Sequence, residues 1–167
     1  VSKCDIPYVG ILGNVLGADG TKNDMLACVP RTEPAPPNAA GLPVGTHIVT
    51  MNGKEVFKNA VRVMSQSCRA VLEKCSITPD QLSLIIPHQA NTRIIDAIAS
   101  DLKVDLSRFM INLDRYGNTS AASIPIALEQ AYTEGRLKDG EYILLVAFGG
   151  GLTWGSTLLK WYEPKNS

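Results

Sequence analysis

The chain has 167 residues, 45% of them hydrophobic, and its 16 basic and 16 acidic residues give a formal net charge of zero. This length and composition are typical of one soluble globular domain, and the balanced charge disfavours nucleic-acid binding. The longest apolar run, near residues 143–148, is far shorter than the roughly 18 residues that span a bilayer, and residues 1–4 lack a signal-peptide core. We therefore predict a cytoplasmic protein with no membrane partner.

Residues 1–8 are predicted to be a connector, and residues 9–16 to be a strand weakened by its glycines. Residues 18–20 then turn the chain. Residues 23–50 contain five prolines and no apolar period. We therefore predict an irregular loop over that segment.

A long helix is predicted from residue 53. Asn52 and Glu55 have the spacing of a capping box. In this motif the Asn side chain accepts a hydrogen bond from one free backbone amide of the first turn, and the Glu side chain accepts from the backbone N–H of the Asn. Apolar residues then recur at three- and four-residue spacing, which places one helix face in the core. These residues are Val56, Phe57, Ala60, Val61, Met64, Cys68, Val71, Leu72 and Cys75. After them, Thr78 and Pro79 form a second start signal, but only a short turn fits there.

The cysteines carry no recognisable redox or metal motif. They form no CxxC pair and no metal-like group with His47 and His88, so neither a zinc site nor a redox site is supported. Free thiols are the expectation, and Cys68 lies on the predicted core face of the long helix. The four cysteines are Cys4, Cys28, Cys68 and Cys75.

His88 is the first candidate catalytic residue. Residues 82–86 form a short apolar run that predicts a buried strand, Pro87 ends it, and the spacing of Ile94, Ile98 and their neighbours predicts a helix. His88 is therefore expected at a strand-to-helix turn. In an open α/β sheet, ligands bind beyond the carboxyl ends of the strands, so an imidazole there suits catalysis. The alternative is that His88 ties down the loop by hydrogen bonding.

Asn118 is the second candidate. Residues 109–113 form another strand-like run, and the polar, glycine-containing residues 114–120 follow it and open a helix. If the two strands lie side by side, their ends deliver His88 and Asn118 to the same edge of the sheet. An amide and an imidazole can both donate to one oxygen, as an oxyanion-stabilising pair must.

The remaining elements complete an α/β pattern. Residues 120–133 predict a helix that must start late or bend at Pro125, because proline lacks an amide donor. Residues 142–148 predict a buried strand, and residues 153–161 a last strand antiparallel to it. Between them, residues 149–151 are all glycine, which suits either a close backbone approach to a ligand or a tight hairpin, and the two are compatible.

Three stretches of sequence identify a family. They read PHQAN at residues 87–91, DRYGNTSAASIP at residues 114–125 and FGGGLTWGS at residues 148–156. In this order they closely resemble the C-terminal half of β-ketoacyl-acyl-carrier-protein synthase III, a thiolase-like condensing enzyme that starts fatty-acid synthesis. The resemblance is good from about residue 51 to residue 161 and poor between residues 23 and 50. It implies an α/β fold in which residues 1–167 form the second half of a thiolase-like layered α/β sandwich, with a mixed sheet flanked by helices.

The resemblance also implies a reaction and its substrates. In this family a cysteine thiolate takes an acyl group from acyl-CoA, and malonyl acyl carrier protein then loses CO2 and attacks the acyl-enzyme. His88 and Asn118 match the donors to the malonyl thioester oxygen. CoA and phosphopantetheine thioesters are the only groups required, so no cofactor or metal is expected. The predicted substrate-binding residues, at the pantetheine tunnel and beside the catalytic pair, are Asn91, Phe57, Gly53, Phe148, Gly149 and Gly150.

A docking surface for the acidic carrier protein is implied at Arg93 and Lys58, which match basic residues of the family. Both are equally well explained as solvated helix residues, and Phe57 as part of the core pattern. Lys54 departs from an Asn that is common beside the pantetheine. Residues 100–101 are Ser and Asp where many relatives are basic, so the docking surface is expected to be weaker or shifted.

The nucleophilic cysteine is missing from the matched motifs. In the family it follows an alanine and precedes small residues in the first half of the enzyme, and none of the four cysteines has that context; the nearest is Cys28. We therefore expect a fragment or one subunit of a split enzyme, inactive by itself, whose partners are the N-terminal half and, in the complete enzyme, a second copy in a homodimer. The alternative is a non-catalytic module that binds acyl-CoA or the carrier protein.

Overall fold

The computed structural model describes residues 6–30 and 44–163. Most of the predicted connector over residues 1–8 therefore lies outside the described residues. The strands are β1 (Gly10–Ala18), β2 (Leu26–Pro30), β3 (His47–Met51), β4 (Leu82–Pro87), β5 (Tyr142–Gly149) and β6 (Thr153–Lys160). The α-helices are α1 (Gly53–Lys74), α2 (Thr92–Leu102), α3 (Leu113–Tyr116) and α4 (Ser123–Thr133). No described helix is long and apolar enough to cross a membrane.

Four strands form one mixed sheet in the order β1-β6-β5-β4. β4 and β5 run parallel, whereas β6 is antiparallel to both β5 and β1. The last strand and its direction are therefore as predicted. A parallel pair needs a long crossover connection, and here the chain between β4 and β5 supplies it with helices.

Helices cover both faces of this sheet. Strand residues alternate between the faces, so that Ile85 and Leu144 pack with α1 and α2, whereas Ile86 and Ile143 pack with α4. The core is therefore divided into two apolar layers by the sheet, as the predicted layered α/β architecture requires.

The helix α1 begins as predicted, but its capping box is incomplete. Asn52 Oδ1 accepts a hydrogen bond from the Glu55 backbone N–H at 3.4 Å. The Asn52 backbone N–H donates to the carbonyl of Met25 at 2.9 Å, instead of to the Glu55 side chain. The start of α1 is therefore tied to the chain before β2. On the predicted core face, Phe57 is only half-buried.

The prediction of an irregular loop over residues 23–50 is wrong at both of its ends. A 3-10 turn spans Gly20–Met25, and β2 pairs with β3 as an antiparallel ribbon in which Leu26 faces Met51. Residues 31–43 lie outside the described residues. This ribbon lies at the surface, with Val49 72% exposed, so burial imposes little apolar alternation on its sequence.

The prediction of a second strand over residues 109–113 is also wrong. Only Phe109 pairs with β4, through a single bridge to Ile85, and the Met110 N–H donates to the Ile85 carbonyl at 2.8 Å. Helix α3 begins at Leu113. A single bridge nevertheless places this segment beside β4, where the second strand was expected.

Pro125 delays the start of α4, as predicted. The chain forms a 3-10 turn over Ser120–Ala122, and α4 begins at Ser123. Pro125 is then the third residue of the helix, within the first turn, where backbone N–H groups have no intrahelical acceptor. Ser123 is thereby fixed at the helix start.

Candidate active site

His88 continues the β4–β5 ladder by one residue. Its backbone N–H donates to the carbonyl of Val146 at 2.8 Å, directly after Pro87 pairs with that residue. Because β4 and β5 are parallel, their carboxyl ends lie at the same edge of the sheet. Phe148 and Gly149 end β5 at this edge. The structure therefore brings His88 and the glycine-rich turn to the position where open α/β sheets bind ligands.

The side chain of His88 is held by a residue that the sequence did not indicate. His88 Nδ1 lies 2.6 Å from Ser123 Oγ, across 35 residues of sequence. The Gln89 backbone N–H donates to the same hydroxyl oxygen at 3.4 Å. Ser123 is buried at the start of α4, with 1% of its surface exposed. Ser123 follows the N-cap position, which is Ala122, and its partner is 35 residues away, so no local signal predicts this contact.

Burial favours the neutral form of the His88 imidazole. The ring is half-buried, and burial lowers its pKa below the ordinary 6.5 because the charged form loses solvation. A neutral imidazole has one N–H and one accepting nitrogen. The tautomer therefore decides which ring nitrogen can donate to a ligand.

Gln89 clamps the end of β4 to the segment that leads to Asn118. Its Nε2 donates to the carbonyls of Pro87 and Met110 at 2.8 and 3.0 Å, and its Oε1 accepts from the Asn112 N–H at 3.0 Å. The side chain is fully buried. An amide with two donors and one acceptor in use replaces the strand pairing that is missing after Phe109.

Asn118 is exposed, in the loop between α3 and the turn at Ser120. Its Oδ1 accepts from the Ser120 backbone N–H at 3.0 Å, which commits the amide oxygen and leaves Nδ2 as the donor. Gly117 ends α3 with φ 65° and ψ −163°, a conformation that glycine adopts without strain. The loop lies five residues before Ser123, the partner of His88. The direct pairing of His88 with Asn118 stays a prediction.

The glycine-rich segment forms the tight hairpin that was one of its two predicted forms. Residues 150–152 connect β5 to β6, and Gly151 has φ +69°. The Gly151 N–H donates to the Leu26 carbonyl at 3.3 Å, which links the turn to β2. Phe148 is buried, Gly149 half-buried and Gly150 exposed. Their contact with substrate stays a prediction.

The predicted tunnel and docking residues gather where α1 and α2 begin. The Arg93 guanidinium carbon lies 5.6 Å from the centroid of the Phe57 ring, within the range of a cation–π contact. Asn91 caps α2, because its Oδ1 accepts from the Arg93 N–H at 2.9 Å. Gly53 and Lys58 are exposed on the first turns of α1. The structure thus places these residues on the first turns of α1 and at the start of α2, and their binding roles stay predictions.

The described cysteines do not form a nucleophilic site. Cys68 is buried between α1 and β6, and burial raises the pKa of its thiol to about 12, against the opposing effect of a hydrogen bond with Ser156. Cys28 is exposed on β2 and Cys75 is half-buried at the end of α1. Cys4 lies outside the described residues. Within residues 6–30 and 44–163, no three His, Cys, Asp or Glu side chains are grouped to hold a metal ion.

Residues 72–161 match the family described as 3-Oxoacyl-[acyl-carrier-protein (ACP)] synthase III C terminal. The chain belongs to this family. Curated relatives named β-ketoacyl-[acyl-carrier-protein] synthase III agree with it: the protein of Roseiflexus castenholzii is 50% identical over 152 residues, and that of Caldanaerobacter subterraneus is 49% identical over 152 residues. Each alignment covers 91% of this chain and 46% of the relative. The chain thus spans about half the length of these curated synthases.

Solved synthase III structures have the same fold. The enzyme from Aquifex aeolicus superposes with a TM-score of 0.82 and 42% identity, over 96% of this chain and 47% of that one. The enzyme from Pseudomonas aeruginosa gives a TM-score of 0.83 and 39% identity, over 98% and 48%. The predicted fold, the second half of a thiolase-like layered α/β sandwich with a mixed sheet flanked by helices, is confirmed.

Proposed function

We propose that this chain is the C-terminal part of an acyltransferase that condenses an acyl-CoA primer with malonyl acyl carrier protein. The observation that carries the proposal is the His88 imidazole, half-buried at the carboxyl end of β4, in a chain of the synthase III family. Burial favours the neutral ring, which donates a hydrogen bond through its one N–H without transferring a full proton to the substrate oxygen. That role suits a reaction in which negative charge develops on an oxygen.

The proposed chemistry is a decarboxylative Claisen condensation. The bond between the malonyl carboxylate and its α-carbon breaks, CO2 leaves, and the electron pair becomes an enolate on the thioester. The α-carbon then attacks the acyl group on the enzyme cysteine and expels the thiolate. In this scheme His88 Nε2 and Asn118 Nδ2 both donate to the thioester oxygen, where each donor contributes about 3–4 kcal/mol.

The substrate arm is proposed to run from the α1–α2 junction to the glycine-rich turn. Asn91 keeps its Nδ2 free of the capping bond made by Oδ1, so it has a donor for the amides of a pantetheine. Gly53 and Phe57 line the outer end, and the inner end lies at Phe148, Gly149 and Gly150, whose strand is parallel to that of His88. These assignments extend the family resemblance to this chain.

The nucleophilic cysteine is proposed to lie in a first half of the enzyme. The buried, high-pKa thiol of Cys68 supports this proposal, because a nucleophile must form a thiolate and meet its substrate. The complete enzyme is proposed to be a homodimer of such two-part chains, with its thioester substrates as the only groups required for chemistry.

The proposal is tested by reconstitution. The chain is joined to the first half of a curated relative that contains the cysteine, and product is measured with acyl-CoA and malonyl carrier protein. We expect sustained turnover from the joined protein and none from the chain alone. Turnover by the chain alone, lost on Cys28→Ser, would contradict the placement of the nucleophile. Binding of acyl-CoA or carrier protein by the joined protein without turnover would favour the non-catalytic alternative.

The docking surface at Arg93 and Lys58 gives a second prediction. Arg93→Glu and Lys58→Glu in the joined enzyme are each expected to raise the KM for malonyl carrier protein, because an acidic partner is then repelled. Added salt is expected to reduce the effect. The KM for the acyl-CoA primer is expected to stay nearly unchanged, as measured by steady-state kinetics with each substrate varied in turn.

Lys74→Glu is the matched control, since it reverses one charge at the far end of the same helix, about 24 Å from Lys58 at 1.5 Å per residue. It is expected to change neither KM. An equal rise in the KM for both substrates on changing Arg93 or Lys58 would place these residues in the tunnel and remove the docking assignment.

A further inference from the structure

We propose that Ser123 is a positioning residue that fixes the His88 ring in the tautomer that carries its proton on Nε2. The inference rests on the proposed function, in which Nε2 donates to the developing oxyanion. It adds the Ser123 hydroxyl as the group that selects Nε2 as the donor. The contact that carries it is the 2.6 Å approach of Ser123 Oγ to His88 Nδ1.

The hydrogen-bond inventory of the hydroxyl decides the direction of this contact. A serine hydroxyl has one proton to donate and two lone pairs to accept. The Gln89 backbone N–H can only donate, so its bond at 3.4 Å occupies one lone pair of Ser123 Oγ. Among the hydrogen bonds of the described residues, His88 Nδ1 is the remaining partner of Ser123 Oγ. The hydroxyl proton therefore has Nδ1 as its acceptor.

The opposite tautomer leaves a buried proton without a partner. If Nδ1 carried the hydrogen and donated to Ser123 Oγ, the hydroxyl proton would have no described acceptor at a residue with 1% of its surface exposed. A buried donor left unpaired costs about 1–3 kcal/mol. The arrangement Oγ–H···Nδ1 satisfies all three groups, and a neutral ring that accepts at Nδ1 must carry its proton on Nε2.

Two rigid elements hold this contact in place. His88 is fixed by its backbone bond to Val146 of β5, and Ser123 by the start of α4, whose residues Ala127 and Ala131 are fully buried under the sheet. Because neither end is on a mobile terminus, the hydroxyl sets the orientation of the ring as well as its tautomer.

The test reads the tautomer directly. Nitrogen-15 NMR of the histidine ring, above the His88 pKa, is recorded on the full chain and on Ser123→Ala. We expect the Nε2–H form in the original protein and a mixture of both forms in Ser123→Ala.

In the joined enzyme, Ser123→Ala is expected to lower kcat for malonyl decarboxylation on the order of 10-fold, with KM little changed, because only the donor in the transition state is disturbed.

Ser65→Ala is the matched control, because Ser65 is a buried serine of α1 whose hydroxyl has no hydrogen-bond partner among the described residues. It is expected to change neither readout.

Ser123→Thr keeps the hydroxyl and is expected to show the Nε2–H form. This variant keeps the test decisive if Ser123→Ala does not fold. An Nδ1–H ring in the original protein overturns the inference. An unchanged tautomer in Ser123→Ala also overturns the inference, whatever the kcat of that variant. An active His88→Ala enzyme would instead overturn the proposed function and leave the tautomer assignment standing.

Discussion

Replacing Gln89 by leucine is expected to lower the free energy of unfolding by at least about 3 kcal/mol. The substitution replaces the amide by an apolar side chain of similar size and removes the partners of three buried backbone groups: the carbonyls of Pro87 and Met110 and the N–H of Asn112. Each buried polar group left unpaired costs about 1–3 kcal/mol. Urea unfolding of the full chain, followed by circular dichroism, measures the change.

The matched control is Gln66→Leu on the exposed face of α1, where the side chain accepts one bond from Arg62. Exposed positions of this kind usually change stability by no more than about 0.5 kcal/mol. A Gln89→Leu protein as stable as Gln66→Leu would show that the clamp contributes little, and that Phe109 and its neighbours hold the segment beside β4 by packing alone.

Replacing either His88 or Asn118 by alanine in the joined enzyme is expected to reduce malonyl decarboxylation by about 10²- to 10³-fold. Each change removes one of the two proposed donors to the thioester oxygen. Transfer of the acyl group from acyl-CoA to the first-half cysteine is expected to continue, because that step takes place at another residue. The two half-reactions are measured separately, by CO2 release and by the mass of the acylated enzyme.

His47→Ala is the control for the histidine change, because His47 is exposed on β3. It is expected to leave both half-reactions intact. The double variant His88→Ala with Asn118→Ala is expected to be little slower than either single variant, since donors that act on one oxygen are not additive. Loss of self-acylation together with decarboxylation, in a folded protein, would contradict the separation of roles.

The elements that sequence predicted well are those whose signal is local. The start of α1 is encoded by Asn52, and its core face by apolar residues at helical spacing, so the helix needs no distant information to be recognised. The strand β4 is a continuous apolar run because it is buried on both faces. Pro125 likewise limited where α4 could begin.

The parts that sequence did not predict depend on distant contacts. The pairing of β2 with β3 at the surface leaves little apolar alternation, and the prolines between them favoured a loop. Residues near Phe109 have strand composition, yet the side chain of Gln89 takes the hydrogen bonds that a longer strand would make. The contact of Ser123 with His88 joins two elements that only the folded chain brings together. The family motifs therefore indicated His88, but not the group that orients it.

The sheet order has a consequence for how the chain acquires its fold. β1 lies at the edge of the sheet, and its described strand partner is β6, so that Gly10 faces Lys160. During synthesis β1 therefore leaves the ribosome long before the strand it pairs with. Contacts of such high sequence separation slow folding, because a long loop must close before they form. Until then Leu12 and Val15, which pack against the core in the folded chain, lie on an unpaired strand. Unpaired strand edges of this kind make a nascent chain prone to aggregation and to capture by chaperones.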